Sequence, residues 1–384
     1  MLILAELLLA MVALYPVVTA ALWVAGGVLF RVLEEDRAVD DPARGWPGVT
    51  VLIPAYNEEA VIASSVGAAL GSDYPVLEVL VLDDGSTDAT EQVAQAAAGD
   101  DRRCEVIRDA VNRGKAERLN VGFARASHEL VLVTDADAHL HPEAIRHLVR
   151  RMGTSPLLAA VAGAPHVTNR VNILAALQVL EAAAIIGLIR RTQSLTGRVG
   201  TVAGVLGLFH RDRVRAVGGY DGSMATEDID LTWRLLQAGW QSAYEPRALV
   251  GMQVPTTVRS LWAQRKRWAR GQGEVLHRRL RDVSRWRNRR MWLLGVESVA
   301  SLLWVIALAA SLVLAVASHL FDEDIWWVGF GLAWGVAITV VATAQLVVAM
   351  ALRYRYDPWG PRALLIGAIY PLLFWLFSAA AALH

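Results

Sequence analysis

The chain has 384 residues, 55% of them hydrophobic, with 37 basic and 37 acidic side chains and a formal net charge of +0; its mean hydropathy is +0.37. So apolar a balance excludes an ordinary soluble enzyme, and the absence of net positive charge argues against a nucleic-acid partner. The single cysteine, Cys104, rules out an internal disulfide framework or a cysteine metal cluster.

A bilayer core of about 30 Å needs roughly 20 apolar helical residues, and stretches 3–30, 291–317, 325–352 and 362–383 qualify. The first lacks a basic leading segment and a small-residue cleavage site, so it reads as an anchor rather than a cleaved signal peptide. Arginines orient the chain: 281–290 and 353–362 are basic while 318–324 is acidic, which puts the first two in the cytoplasm. The polar domain between the first two spans then faces the cytoplasm. Residues 172–191 are also long and apolar enough to cross. A crossing there would separate Asp137 from Glu227, Asp228 and residues 264–268, and Gln178 and Glu181 give the stretch a polar edge. A buried or interfacial helix is therefore expected.

After the first span, residues 34–48 are charged and rich in Pro and Gly, as a linker would be. Strands are then expected at 49–54, 77–85, 104–109 and 130–134, alternating with helical patterns. That alternation implies βαβ units and an α/β domain with a mostly parallel, doubly wound sheet, whose strand ends deliver polar residues to one edge. Neither dinucleotide nor P-loop glycine fingerprint is present.

The fourth strand, Leu130 to Thr134, stops at Asp135 and Asp137. Alternate residues of an extended segment face the same way, so these two carboxylates can offer hard oxygen donors to Mg²⁺ or Mn²⁺, with a diphosphate completing the coordination. Taken alone, the pair fits equally well as a cap for the helix that Pro142 starts. Asp83 and Asp84 before Gly85 fit a turn, and Lys115 fits a surface charge. TEDIDLTWRLLQAGW reads as a helix from Thr226 at its N-cap to Gly239 beyond its C-terminus. Glu227, Asp228 and Asp230 lie in its first turn, where acids favour the macrodipole.

The pieces IPAYNE, VLDDGSTD, NRGKA, TDADA, TEDIDLTWRLLQAGW and QRKRW, in this order across about residues 49–275, resemble the family 2 glycosyltransferases with a Rossmann-like A-type fold. The resemblance implies that Ala55, Tyr56, Glu58, Asp83 and Asp84 line a uridine pocket. It further implies that Lys115 reaches the base or diphosphate, Asp135 the ribose, and Asp137 the metal. Asp228, flanked by Glu227, matches the general base toward an acceptor hydroxyl. Glu117-Arg118 departs from the family, where small or apolar residues are usual. Gln264, Arg267 and Trp268 match the Q-x-x-R-W signature of processive members, in which Arg267 stabilises the leaving diphosphate and Trp268 stacks on the acceptor sugar. The surrounding helix, basic and amphipathic, also suits the surface of an anionic leaflet.

The resemblance thus implies an N-terminal transmembrane helix (1–33), a linker (34–48), an A-type catalytic domain (49–250), amphipathic interfacial helices (251–290) and three transmembrane helices (291–384). Among polymerising members the chain looks most like the bacterial poly-β-1,6-N-acetylglucosamine synthases. It is accordingly expected to be an inner-membrane, multi-pass, inverting enzyme that polymerises a UDP-sugar, UDP-GlcNAc first, and passes the polymer across the lipid bilayer. A small membrane accessory subunit is a further implied partner. Trp292, Trp304, Trp334, Tyr370 and Trp375 are available to line the polymer's path or to pack. Hyaluronan, chitin and cellulose synthases share the core motifs, and a nonprocessive transferase onto a polyprenyl or glycolipid acceptor is the alternative that product size separates. A transporter with a regulatory nucleotide domain fits less well, because Glu297 is the main ionisable group within the spans.

Overall fold

The computed structural model describes residues 2–37, 40–43, 45–320, 326–358, 367 and 370–383. The chain forms two compact units, one of residues 30–170 and 193–254, the other of 1–29, 171–192 and 255–384.

The first unit is built on an eight-stranded sheet of order β3-β2-β1-β4-β7-β6-β8-β5. Its strands are β1 (Val49–Ala55), β2 (Leu77–Asp83), β3 (Cys104–Arg108), β4 (Leu130–Val133), β5 (His139–Leu140), β6 (Leu158–Val167), β7 (Gly207–His210) and β8 (Gln241–Met252). β1 pairs in parallel with β2 and with β4, and β2 with β3. β7 then runs antiparallel to both β4 and β6. The four strands read from sequence are all present, and the sheet is mixed. The antiparallel β7 has only four residues, too few for an alternation to announce it.

Side chains of β1 alternate between two cores. Val49, Val51 and Ile53 join Ile62, Val66, Ile145 and Leu148 on one face. Leu52 joins Leu80, Leu119, Phe123, Leu231 and Leu235 on the other. Burying each such side chain is worth about 1.5–3 kcal/mol, so both faces hold the sheet rigid. The helices concerned are α2 (Ile62–Leu70) and α5 (Ala144–Met152) on the first face, α4 (Lys115–Arg125) and α9 (Glu227–Gln237) on the second. Because β2 and β4 flank β1 on opposite sides, the connections diverge there and open a crevice at the carboxyl ends of β1 and β4. The segment read as a linker is fastened to this unit. Glu34 pairs with Arg151 at 2.7 Å, Asp41 with Arg150 at 2.7 Å, and the Trp46 ring lies under Arg146 and Arg150.

The second unit is helical. Four helical stretches among the described residues are long and apolar enough to cross a membrane: 6–35, 173–195, 286–317 and 335–353. Three coincide with expected spans. The fourth is the stretch assigned above to a buried or interfacial helix; 67% of its apolar window is buried, against 11–28% for the other three. Of the expected span 362–383, the described part is the helix Tyr370–Leu383 and residue 367. Residues 321–324 of the acidic loop, 359–362 of the basic loop, and the side chains of Trp334, Tyr370 and Trp375 lie outside the described residues. Trp304 packs between helices, donating its indole N–H to the Val12 carbonyl at 3.2 Å with its ring 6.1 Å from Tyr15. Trp292 meets Trp286 edge-on at 5.4 Å.

Candidate active site

The crevice at the ends of β1 and β4 collects most of the residues singled out from sequence. Its floor is two loops tied by side chains. Asn57, at φ +55, accepts from the Thr87 N–H at 2.8 Å and donates its own N–H to Ser86 Oγ at 3.0 Å. The Glu58 N–H donates to Thr90 Oγ1 at 2.7 Å. Ala55 is buried at the end of β1, while Tyr56 stays exposed on the rim.

Asp83 and Asp84 have distinct surroundings. Asp83 accepts from the Ser86 N–H and hydroxyl at 3.0 and 2.5 Å. Its second oxygen, buried, has no hydrogen-bond partner among the described residues and faces the Arg108 guanidinium at 3.6 Å. Asp84 accepts from the backbone N–H groups of Arg113 and Gly114 at 3.0 and 2.7 Å and so fixes the NRGK loop. Gly85 makes room for this: at φ +71 it is approached by the backbone of Val111 and Asn112, and a Cβ there would sit 3.0 Å from them. The turn reading of these residues therefore holds as geometry, beside whatever they present to a ligand.

Asp135 and Asp137 do not lie on an extended segment. A turn closes over them, with the Ala138 N–H donating to the Asp135 carbonyl at 3.1 Å, because the chain must reverse before β5 pairs antiparallel with β8. Nor does the pair cap a helix: α5 starts at Ala144 with Glu143 at its N-cap. Asp135 forms an ion pair with the Lys115 ammonium. Lys115 opens α4, placed there by the Gly114 turn that Asp84 holds.

Asp228 arrives from α9. The acids of its first turn separate by partner. Asp230, fully buried, is bound to Arg234 at 2.7 Å, and Arg234 donates onward to the carbonyls of Val217 and Gly219. Asp230 is thus structural. Among the described residues Asp228 accepts locally, from the Ile229 N–H at 2.9 Å. Thr226 occupies the N-cap position without a side-chain capping bond.

The carboxylates act on one another. Low-dielectric surroundings raise the Asp228 pKa; Lys115 pulls it down and Asp135 adds to the rise. Asp137 is raised by the same desolvation and by Asp135, and Glu58 by desolvation and then by Asp137 and Asp135. Burial alone would depress Lys115, but Asp135, Glu227 and Asp228 together outweigh it and raise the ammonium. Lys115 is therefore a firmly held cation amid three carboxylates. Two residues not singled out from sequence belong here. The Gly204 Cα faces the Lys115 ammonium so closely that a Cβ would stand 2.9 Å from Nζ. The buried Tyr220 hydroxyl has no hydrogen-bond partner among the described residues, and Asp228, Glu227 and Asp135 help to raise its pKa after desolvation. Both lie in the glycine-rich returns between β6 and α9, where sequence spacing carries no signal for the approach. Arg118, the departure noted from sequence, is buried against Asp109 at 2.6 Å.

Gln264, Arg267 and Trp268 lie on α10 (Val258–Val283) in the helical unit, which Thr257 caps by accepting from the Ser260 N–H. Gln264 is half-buried, its Oε1 without a hydrogen-bond partner among the described residues. Arg267 is exposed and Trp268 is 36% exposed.

Residues 47–271 match the family profile described as glycosyltransferase like family 2. The chain belongs to this family. This glycosyltransferase is 32% identical over 374 residues to a poly-β-1,6-N-acetyl-D-glucosamine synthase of Staphylococcus epidermidis, covering 95% of this chain and 90% of that protein. It is also 32% identical over 378 residues to the synthase of the same name from Staphylococcus aureus strain COL, covering 96% and 91%. In fold it is similar to a mannosyltransferase from Pyrobaculum calidifontis solved with GDP-mannose and Mn²⁺, with a TM-score of 0.67, 23% identity, and coverage of 91% of this chain and 98% of that one. The A-type fold expected from sequence is therefore present, joined in one chain to helices able to span a membrane.

Proposed function

We propose that this glycosyltransferase is an inverting, processive hexosyltransferase of the inner membrane that polymerises UDP-GlcNAc into poly-β-1,6-N-acetylglucosamine on the cytoplasmic side and passes the chain outward. One observation carries the reading. The likeness to the staphylococcal synthases runs over 95% of the chain, so the apolar helices are shared with them as well as the catalytic domain. Polymer synthesis coupled to export uses both parts; a transferase onto a lipid-linked acceptor can carry both as well, and product size separates the two.

In this reading Ala55, Tyr56, Glu58 and the Asp83–Asp84 turn receive the uridine, and Asp135 the ribose. The donor set suits a divalent ion at Asp137. No three His, Cys, Asp or Glu side chains gather into a closed cage among the described residues, and Mg²⁺ or Mn²⁺ ordinarily takes one or two carboxylates and completes its shell with phosphate oxygens. When bound, the ion supplies Lewis-acid neutralisation of diphosphate charge. Asp228 Oδ takes the proton from the acceptor hydroxyl, and its raised pKa makes it a stronger base than an ordinary aspartate. Glu227 beside it helps keep Lys115 cationic, and Lys115 and Arg267 stabilise the departing diphosphate. Gln264 and Trp268 hold the acceptor end of the polymer. The growing polysaccharide, the bilayer and a small accessory subunit are the partners.

The test incubates detergent-purified protein with separate UDP-sugars and Mg²⁺ or Mn²⁺, measuring UDP release and product size. Long polymer from UDP-GlcNAc, absent with Asp228→Asn, is expected. A chloroform-soluble glycolipid as product would overturn the processive reading, and UDP release unchanged in Asp228→Asn would overturn the assignment of the base.

A further inference from the structure

Within the helical unit, α10 is tied to the preceding apolar helix α6 (Ile173–Glu181) at three polar points. Asn172 donates to the Thr256 carbonyl at 2.8 Å, Gln178 to the Pro255 carbonyl at 2.7 Å, and Arg265 meets Glu181 through two parallel N–H···O bonds of 2.6 Å each. Leu261 packs with Leu177, Leu180 and Ala184 between them. Glu181 and Arg265 are 8% and 7% exposed. They are 84 residues apart in sequence, and Glu181 is the single acid within residues 173–195, one of the stretches apolar enough to cross a membrane.

A pair so placed has a cost. Desolvating two charges offsets most of their mutual attraction, and apolar replacements of similar volume are often as stable or more so. What an apolar contact lacks is direction. A bidentate carboxylate–guanidinium fork fixes the guanidinium plane, and that plane lies over the Trp268 ring, 4.4 Å from Arg265 Cζ to the ring centroid. Residues 265 and 268 are neighbours on one helix face, so one side of the indole is covered by Arg265 while the side chain remains 36% exposed.

We infer that Glu181 is a positioning residue for the acceptor sugar: through Arg265 it holds the Trp268 indole in one orientation, backed on one face and open on the other to the apolar face of a pyranose. This rests on the acceptor role proposed for Trp268. Glu181 itself touches neither donor nor acceptor. Its loss is expected to leave donor turnover in place while the polymer end is held less well.

The experiment uses the full chain in liposomes with UDP-GlcNAc, reading UDP release and product length separately. In Glu181→Gln, mean product length is expected to fall about tenfold, between the scales of an exposed and a desolvated cation–π contact, with the KM for UDP-GlcNAc unchanged and UDP release within about threefold of the parent. Glu181→Asp, which retains the carboxylate, is expected to recover part of the length. If Glu181→Gln fails to fold because Arg265 loses the carboxylate that faces it, the double variant Glu181→Met/Arg265→Met removes both charges, and the same shortening is expected. Parental length in that double variant would overturn the inference. So would a parallel fall in length and UDP release, which assigns the pair to folding alone. Trp268→Ala, run alongside, keeps the two ideas separable: if it leaves product length unchanged, the acceptor role of Trp268 fails, whereas shortening in Trp268→Ala alone rejects only Glu181.

Discussion

In the sheet unit, Leu52, Ile53, Leu82, Leu119 and Phe123 are buried at 2% exposure or less, and Asp83, Asp84, Asp135 and Asp137 stand at or just beyond strand ends. In the helical unit the arrangement is reversed. Leu293, Val296, Val313 and Val336 are 64–68% exposed, whereas Gln178, Glu181, Arg265 and Gln345 are buried, and Gln345 donates to the Ala184 carbonyl at 2.9 Å. One rule serves both: each unit turns toward its surroundings the atoms those surroundings solvate, water for one and hydrocarbon for the other. The difference also separates two kinds of polar group. Carboxylates at the sheet edge, buried at Asp83 and Asp84 and half-buried at Asp135, Asp137 and Asp228, crowd and repel one another, suited to bind cations and move protons. Gln178, Glu181, Arg265 and Gln345 inside the helices are paired and directional, suited to hold shape.

The contrast is broken most directly at Asp137. If the sheet edge carries the chemistry, Asp137→Ala should lower UDP release and polymer yield together, by about 10² to 10³, the usual cost of losing one charge-stabilising group at a reacting centre. Retained release would move the divalent ion elsewhere. Trp268→Ala should act on the other arm, shortening product by about tenfold while sparing donor hydrolysis; equal loss of both would place Trp268 at the donor. The smallest effect is on pH. Asp228 must be ionised to accept a proton, and its pKa is raised, so turnover falls as pH drops through that raised value. The acid limb of kcat should therefore lie above the range of an ordinary aspartate, and a limb at the usual position would point to a different base.

Much of the sheet edge was legible in sequence because it depends on local order. An apolar run followed by acids marks a strand and its exit, and β1 to β4 fall within a residue or two of their expected bounds. The partners of those acids were not legible. Whether Asp84 holds a loop or Asp230 holds an arginine depends on how the chain returns, and the turn at Asp135–Ala138 answers to the pairing of β5 with β8, more than a hundred residues on in the chain. The helical unit was legible in hydropathy but not in pairing: Gln178 and Glu181 stood out as one polar edge, while the contact that explains Glu181 comes from Arg265.

The ion pair between Lys115 and Asp135 also bears on how this protein can be followed in solution. The chain has only two lysines, Lys115 and Lys266, and the first has its amine held by a carboxylate at the sheet-edge crevice. An amine-reactive label therefore has Lys266 as the one competing lysine, and the rate at which it finds Lys115 relative to Lys266 reports whether that carboxylate has been drawn away. The enzyme carries, in its scarcity of lysine, its own occupancy gauge.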